Sequence, residues 1–593
     1  MDHPDHNRIG RQTPATSSRL PLWTVAFLLT LLAMPASAGE APQLRIEGGT
    51  AEQRQNIRAF VPMARHECEL PAFRERGILR STGDRARQAL RALGHYRPEL
   101  DISIARTDTC WDLLVIVDPG PVVRISEVDV RVSGEGETDP AFVAIISDPG
   151  IAPGDPLRHD AHDQLRSRLL RIAADRGYMD AELTDSRLLV DPDANEARIS
   201  LHLDSGRRYR FGEITLEQDI LNDDFVTRLF PFERGDPYSS SQLIQLQRNL
   251  SDSGYFEAVR VRPLLDARED GEVPILAEVA PRKRTAYEAR LGFSTDIGVR
   301  FGLALDRRYA NRRGHRYEAE LELSEKRSGI GFSYDIPLAD PLNDSLRLFA
   351  SYRTEDTGTS ESERYQIGAS RVQRHPSGWQ TTQGLRYEYE DFTVGEVSDI
   401  SRLLIPSYRV SRTKADDLLY PRDGYRIDVL GQGASESLAS SFSFLQARGN
   451  AKFITGLGTG RLILRGEAGA TAGASIEELP SSLRFFAGGD TSVRGFGFQQ
   501  LGPTDEAGNV IGGRNLLVGS VEYDHPIGQG NWAAAVFLDA GNAFNDFNDY
   551  ELKGGGGVGI RWRSPVGPIR FDVAHAPDSK DSFRIHFTMG PDL

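Results

Sequence analysis

Residues Phe485 to Gly502 read Phe-Phe-Ala-Gly-Gly-Asp-Thr-Ser-Val-Arg-Gly-Phe-Gly-Phe-Gln-Gln-Leu-Gly. A run this rich in glycine and aromatic side chains, with the single arginine Arg494 inside Val493-Arg494-Gly495-Phe496, suits neither a regular helix nor a regular strand and is expected to be a long structured loop. Ordering glycine-rich backbone costs entropy, so the loop needs an anchor. The planar fork of Arg494 supplies one if carboxylates meet it in a partly dry cavity. Two follow in the chain: Glu522 in Ser520-Val521-Glu522-Tyr523 and Asp539 in Phe537-Leu538-Asp539-Ala540-Gly541.

Both carboxylates fall in alternating segments. From Arg284 onward the sequence alternates polar and apolar residues between turn clusters, as in Tyr317-Glu318-Ala319-Glu320-Leu321-Glu322-Leu323 and Ile569-Arg570-Phe571-Asp572-Val573. A sheet with one wet face has the same period, so the number of segments decides the matter. About sixteen fit into the region, the even count of tilted strands that an outer-membrane barrel requires. Strand parity puts Glu522 on one face with Ser520 and Asp524, and Asp539 with Phe537; that face is assigned to the lumen, within reach of Arg494. The last strand, Phe583 to Met589, followed by Gly590, is expected to pair with the first, near Tyr287 to Phe293, in a seam weakened by Gly292 and Gly590. Tyr287, Leu291, Gly292, Phe583, Ile585, Phe587 and Gly590 are the seam residues of this reading.

Upstream, Gln43 to about Pro281 repeats a unit of roughly eighty residues, marked by Gly94-His95-Tyr96, Gly177-Tyr178 and Gly254-Tyr255 after amphipathic helices. Leu165, Leu169, Ile172 and Ala173 form one helical stripe, and Leu243, Leu246 and Leu250 another. Gly154-Asp155-Pro156 and Gly235-Asp236-Pro237 are expected to open these helices. Each unit reads as β-α-α-β-β. The N-terminus carries Arg8, Arg11 and Arg19, an apolar run from Leu20 to Met34 and the small residues Ala36-Ser37-Ala38, the pattern of a signal peptide over residues 1–38. In an oxidising compartment the two cysteines, Cys68 and Cys110, are a candidate disulfide, with a buried free pair as the alternative. A net charge of −15 excludes nucleic acid as a partner, and a mean hydropathy of −0.40 excludes a helical membrane protein.

The repeat length and glycine-tyrosine endings resemble POTRA domains. The Val-Arg-Gly-Phe loop, Gly512-Gly513, the Ser-Val-Glu-Tyr and Phe-Leu-Asp-Ala-Gly segments, and Arg561-Trp562-Arg563-Ser564-Pro565-Val566-Gly567-Pro568 resemble in order the BamA/TamA superfamily of assembly barrels. Three POTRA units and the ending Gly590-Pro591-Asp592-Leu593 are most similar to its TamA branch, although the family's terminal aromatic residue is absent and its signal falls around Phe587. The resemblance implies a signal peptide (1–38), three tandem periplasmic α+β POTRA domains (41–120, 121–206, 207–281) and a 16-stranded antiparallel transmembrane β-barrel (285–593) in the outer membrane of a Gram-negative bacterium. It also implies that Arg494 contacts Glu522 and Asp539. The implied role is insertion of β-barrel and autotransporter proteins, with strands captured on POTRA edges and released through the seam.

The implied partners are a TamB-like inner-membrane-anchored periplasmic protein, unfolded outer-membrane β-barrel clients and outer-membrane lipid. The alternatives are a two-partner secretion pore, whose plug helix has only Gly39 to Pro42 available here, and a conduit for phospholipid. No G-x-S-x-G elbow, P-loop or H-E-x-x-H occurs, and His159-Asp160-Ala161-His162-Asp163 reads as a charged first helical turn. The expectation is no catalysis, no cofactor and no metal.

Overall fold

Alternation lets a ribbon of strands put one face in lipid and the other in a polar lumen, and closure removes the bare edges that lipid does not tolerate. The segments after Arg284 form sixteen antiparallel strands, from Thr285–Ser294 to Arg584–Met589, each bonded to its sequence neighbours and closed by the first meeting the last. The computed structural model describes residues 41–590 except 64–66, 109, 418, 566, 580 and 582. The signal peptide expected over 1–38 lies outside the described residues.

Parity sorts the side chains. On strands Asn515–Pro526 and Trp532–Phe544, Leu517, Val521, Val536 and Leu538 point outward and are exposed, while Ser520, Glu522, Asp524, Phe537 and Asp539 are buried in the lumen. The outward apolar band is what a bilayer requires.

Ahead of the barrel stand three β-α-α-β-β modules. In the first, strands Gln43–Gly48, Glu99–Arg106 and Trp111–Asp118 form a sheet whose middle strand is the last, parallel to the first and antiparallel to the second. Its helix Ala51–Phe60 begins in a capping box: the Thr50 hydroxyl accepts from the Gln53 N–H, and the Gln53 side chain accepts from the Thr50 N–H. The other two modules repeat the order, with sheets of Arg124–Ser133, Glu182–Asp191 and Glu196–Asp204, then Arg210–Glu217, Phe256–Pro263 and Glu272–Pro281. In the second module's long helix, Leu165, Leu169 and Ala173 are buried; in the third's, Leu243, Leu246 and Leu250. Gly94, Gly177 and Gly254 end their helices at φ of +84°, +85° and +75°, a left-handed stop that glycine adopts without strain.

One expectation is corrected. Gly154-Asp155-Pro156 and Gly235-Asp236-Pro237 do not form a first helical turn, because the helices begin later, at His159 and Ser240. Pro156 bridges Arg124 and Pro237 bridges Arg210, so each motif adds a short bonded contact beside its module's first strand. Proline lacks only a donor, and the neighbouring residues supply the bonds: the Gly154 N–H donates to the Ile125 carbonyl and the Ile125 N–H to the Asp155 carbonyl.

The third module docks on the barrel. The Tyr255 hydroxyl donates to the Gly314 carbonyl at 2.5 Å, the Arg316 guanidinium lies 4.3 Å from the Tyr255 ring centroid, and Arg228 donates to the Leu338 carbonyl at 2.6 Å. In the first module Cys68 and Cys110 are bridged, at a sequence separation of 42 and with 4.5 Å between Cα atoms. Beside the bridge, the buried Trp111 donates through Nε1 to the Glu67 carbonyl. The bridge closes a loop whose chain-entropy contribution is about 4 kcal/mol. Replacing both cysteines by serine is expected to destabilise the first module by about 2–4 kcal/mol, seen as cleavage between residues 43 and 118 at lower urea in limited proteolysis of the full chain.

Candidate functional site

The chain between strands Gly460–Ala472 and Asn515–Pro526 folds into the lumen. Short pairings of Phe485 with Gly513 and of Ala487 with Leu501 tie it into a flattened hairpin. Its apolar side chains, Phe485, Ala487, Val493, Phe496 and Leu501, pack against Leu516, Val518, Ala543 and Ala576 of the wall. Gly495 sits at φ +98°, and a Cβ there would fall 2.7 Å from that of Ala576. Across the contact, a Cβ on Gly555 would lie 2.0 Å from the Arg494 carbonyl oxygen. The glycine run 554–557 therefore gives the loop backbone room beside the wall.

At the tip, Arg494 is 4% exposed and every polar group of its fork is engaged. Nε and Nη2 donate to the two oxygens of Asp539 at 2.7 and 3.0 Å, and the backbone N–H of Arg494 donates to the same carboxylate at 3.1 Å. Nη1 donates to Glu522 at 2.7 Å and to Asp572 at 3.1 Å. The guanidinium also lies 3.4 Å from the centroid of the Phe537 ring. Val493 and Phe496 flank it in the apolar cluster, so Val493, Arg494, Gly495, Phe496, Glu522 and Asp539 meet at one place.

Three further residues complete the cluster. Arg561, from strand Lys553–Ser564, donates twice to Glu522 at 3.0 and 2.8 Å and once to Asp572 at 2.5 Å. Asp572 comes from strand Gly567–His575. Arg465 approaches Asp539 to 3.9 Å and donates to the Ser492 carbonyl at 2.6 Å. Three guanidinium groups thus balance three carboxylates; Arg494, Arg561 and the carboxylates are buried and Arg465 is partly exposed beside them, and such pairing is the condition under which buried charge is tolerated. The alternation that marks Glu522 also places Arg561 opposite Ile560 and Trp562, and Asp572 opposite Phe571 and Val573, so parity was the signal that could have found them.

At the seam the structure differs from the expected pairing. Among the described residues the first and last strands share one register pair, Ser294 with Thr588. Tyr287, Leu291 and Gly292 pair with Leu305, Phe301 and Arg300 of the second strand and have no register partner on the last. Tyr287 and Leu291 face outward, exposed by 79% and 71%. Ile585 and Phe587 pair with Val573 and Phe571 on the other side; Phe583 precedes the last strand with its ring 5.1 Å from His575, and the Gly590 N–H donates to the Pro568 carbonyl. The ring centroids of Phe293 and Phe587 lie 5.6 Å apart. The stagger of neighbouring strands in a closed barrel explains the offset: the end of the first strand meets the end of the last, and among the described residues the edge from Thr285 to Phe293 has no register partner there.

The comparisons with known proteins fit this architecture. The description "Omp85 superfamily domain" matches residues 311–592, "POTRA domain TamA domain 1" matches 43–119, and the POTRA model described as "Surface antigen variable number repeat" matches 209–282. The chain is 24% identical over 445 residues to outer membrane protein assembly factor BamA of Nitratidesulfovibrio vulgaris, covering 70% of this chain and 55% of that protein. It is also 24% identical over 491 residues to BamA of Neisseria meningitidis serogroup B, covering 70% and 60%. It therefore spans little more than half the length of these relatives. The crystal structure of BamA from Haemophilus ducreyi lacking POTRA domains 1-3 superposes with a TM-score of 0.66 at 18% identity, over 79% of this chain and 99% of that one.

Arg494→Ala leaves the three carboxylates short of a partner, and losing one member of a buried ion pair costs about 3–5 kcal/mol. The expected outcome is a barrel that keeps its heat-modifiable mobility on SDS gels but whose loop 485–502 becomes open to protease, with Arg494→Lys intermediate because an ammonium cannot bridge Asp539 bidentately. The chain is an outer-membrane β-barrel protein carrying an Omp85 superfamily domain behind POTRA domains.

Proposed function

We propose that this protein inserts unfolded β-barrel clients, autotransporters among them, into the outer membrane by offering the unpartnered edge of its first strand as a template. The observation that carries the reading is the seam itself, which among the described residues has one register pair where neighbouring strands elsewhere in the barrel share six or more. Backbone donors and acceptors left bare at membrane depth are costly, so a client strand that pairs with them is stabilised as it enters lipid. No chemical fuel is required at the barrel, because burying an alternating apolar face is itself favourable.

Upstream, each POTRA sheet has its last strand in the middle and its first and second strands at the edges, the arrangement on which extended client segments add as further strands. A TamB-like periplasmic partner spanning toward the inner membrane fits the same edges, and the TamA-type match of the first module supports that assignment. A steady secretion pore suits the site less well, since the inward loop would have to leave its charge cluster to open the lumen. Movement of outer-membrane lipid is the second reading. It draws on a cavity of about 540 Å³ whose lining includes Arg316, Arg374 and Arg426 together with Asp252 and the pairs Arg347–Asp335 and Arg409–Asp428, where the arginines are the groups that would meet a phosphate headgroup.

The test joins Ser294→Cys to Thr588→Cys in a chain whose native cysteines are serine. In liposomes given an unfolded β-barrel client, oxidation is expected to lower client folding, read by heat-modifiability, to that of empty liposomes, with reductant restoring it. Equal folding in the oxidised and reduced states would refute templating at the seam.

A further inference from the structure

What closes the seam is mostly not backbone. Beyond the pair Ser294 and Thr588, the Thr295 N–H donates to the Phe587 carbonyl at 3.2 Å, and the Phe587 N–H donates to the Thr295 hydroxyl at 3.1 Å. Among the described residues, and apart from the Phe293–Phe587 ring contact, the remaining connections run through one loop side chain, Asp490, whose carboxylate is almost wholly buried. Its Oδ1 accepts from the Thr295 hydroxyl at 2.6 Å and faces Nδ1 of His586, on the last strand, also at 2.6 Å. Its Oδ2 accepts from the Asp296 N–H at 3.2 Å, and the Asp490 N–H donates back to the Asp296 carboxyl at 2.7 Å. The turn after the first strand, the inward loop and the last strand therefore meet at Asp296, Asp490 and His586.

Two features of this meeting point require protons. First, the Gly495 N–H donates to Nε2 of His586 at 2.9 Å, which takes that lone pair and leaves the imidazole proton on Nδ1, aimed at Asp490. An imidazole held this way has no free lone pair for a metal ion. Second, the carboxyl groups of Asp296 and Asp490 face each other, and among the described residues neither forms an ion pair with an arginine or lysine. Two carboxylates so placed resist ionising together, and a shared proton relieves them.

We propose that Asp296, Asp490 and His586 form a proton-held clasp that keeps the first and last strands together and lets them part when the shared proton leaves. Burial, and then the facing charge of Asp490, push the carboxyl of Asp296, in the turn outside the strands, up to about 7. A group whose value is raised in the closed state favours closure below its ordinary value, and that contribution is lost as pH rises through the raised one. Protons thus strengthen the clasp between about pH 4 and 7, and it is weakest above 7.

The other charged groups close by are few. Glu325, from the next hairpin turn, approaches Gly298; Arg300 lies against Gly292 and 3.9 Å from Glu322; Lys326 sits over the Phe498 ring. Asp296→Asn isolates the carboxyl's part. It keeps a neutral donor and acceptor at position 296 and removes the carboxyl titration, leaving the imidazole untouched.

The experiment places spin labels at Leu291→Cys and Ile585→Cys, outward-facing positions on the first and last strands, in the full chain in lipid nanodiscs. The bridged Cys68 and Cys110 do not take label. The ratio of separated to joined strands is expected to rise about tenfold from around pH 6 to around pH 8.5, the response of one proton with a midpoint near 7, and Asp296→Asn is expected to stay joined throughout. A pH-independent distance in the native chain overturns the clasp, as does an undiminished response in Asp296→Asn. Zinc that closes the seam at alkaline pH overturns the proton assignment in favour of a metal. Should Asp296→Asn fail to show heat-modifiable folding, the native titration decides alone. No client is present, so failure here leaves templated insertion standing, and failure of client folding leaves the clasp standing.

Discussion

Burying an arginine without partners would cost far more than any loop of this length recovers, so the position of Arg494 is set by the carboxylates that meet it. Asp539 takes the fork and the backbone N–H, Glu522 and Asp572 take the remaining donors, and Arg561 fills the other side of Glu522 and Asp572. Glu522, Asp539, Arg561 and Asp572 sit on four successive strands, so one loop side chain ties the loop to all four through this cluster. The packing follows the charges. Because Arg494 must enter this pocket, the adjoining backbone passes within a carbonyl's reach of Gly555, and that strand cannot carry a larger residue there.

The bilayer imposes the second constraint, since it leaves no water to satisfy an open strand edge. Fifteen of the barrel's neighbour pairs meet this by continuous ladders, whereas the sixteenth, between the first and last strands, meets it at one register pair among the described residues. What the seam lacks in ladder bonds it partly recovers in side-chain contacts around Asp490 and in the Phe293–Phe587 ring contact. Side-chain contacts respond to protons and to loop position; ladder bonds do not. A barrel closed this way is firm around most of its circumference and conditional at one line.

Much of this was legible in the sequence, and the reasons differ by element. Strand number and parity could be read because lipid and lumen demand opposite side chains at alternate positions, as in Tyr317 to Leu323 and around Glu522. Helix ends in the modules could be read because only glycine takes the left-handed stop at Gly94, Gly177 and Gly254 without strain. Arg561 and Asp572 obeyed the same alternation but lacked a loop motif to draw attention to them. The Gly-Asp-Pro motifs misled because proline suits both a first helical turn and an edge contact, and only the neighbouring strand distinguishes them. The seam's offset was out of reach, since stagger belongs to the whole barrel and no local stretch encodes it. His586 was unreadable for the same reason: its partners lie 91 and 96 residues away on the loop.

The two clusters are not independent, because adjacent loop residues belong to each. Arg494 is bonded to strands in the firm part of the wall, and the next residue, Gly495, donates its N–H to His586 on the last strand. The Arg494 carbonyl, between them, lies against Gly555 with no room to retreat. A displacement of the last strand therefore pulls on a backbone already fixed by five side-chain hydrogen bonds one residue away, so the charge cluster resists opening even though none of its carboxylates lies on the seam strands. Releasing the clasp at Asp490 removes one restraint on the last strand and leaves the other, at Gly495, tied to the arginine. The loop then limits how far the strands separate, which would permit a client strand to enter without loss of the barrel's closure elsewhere.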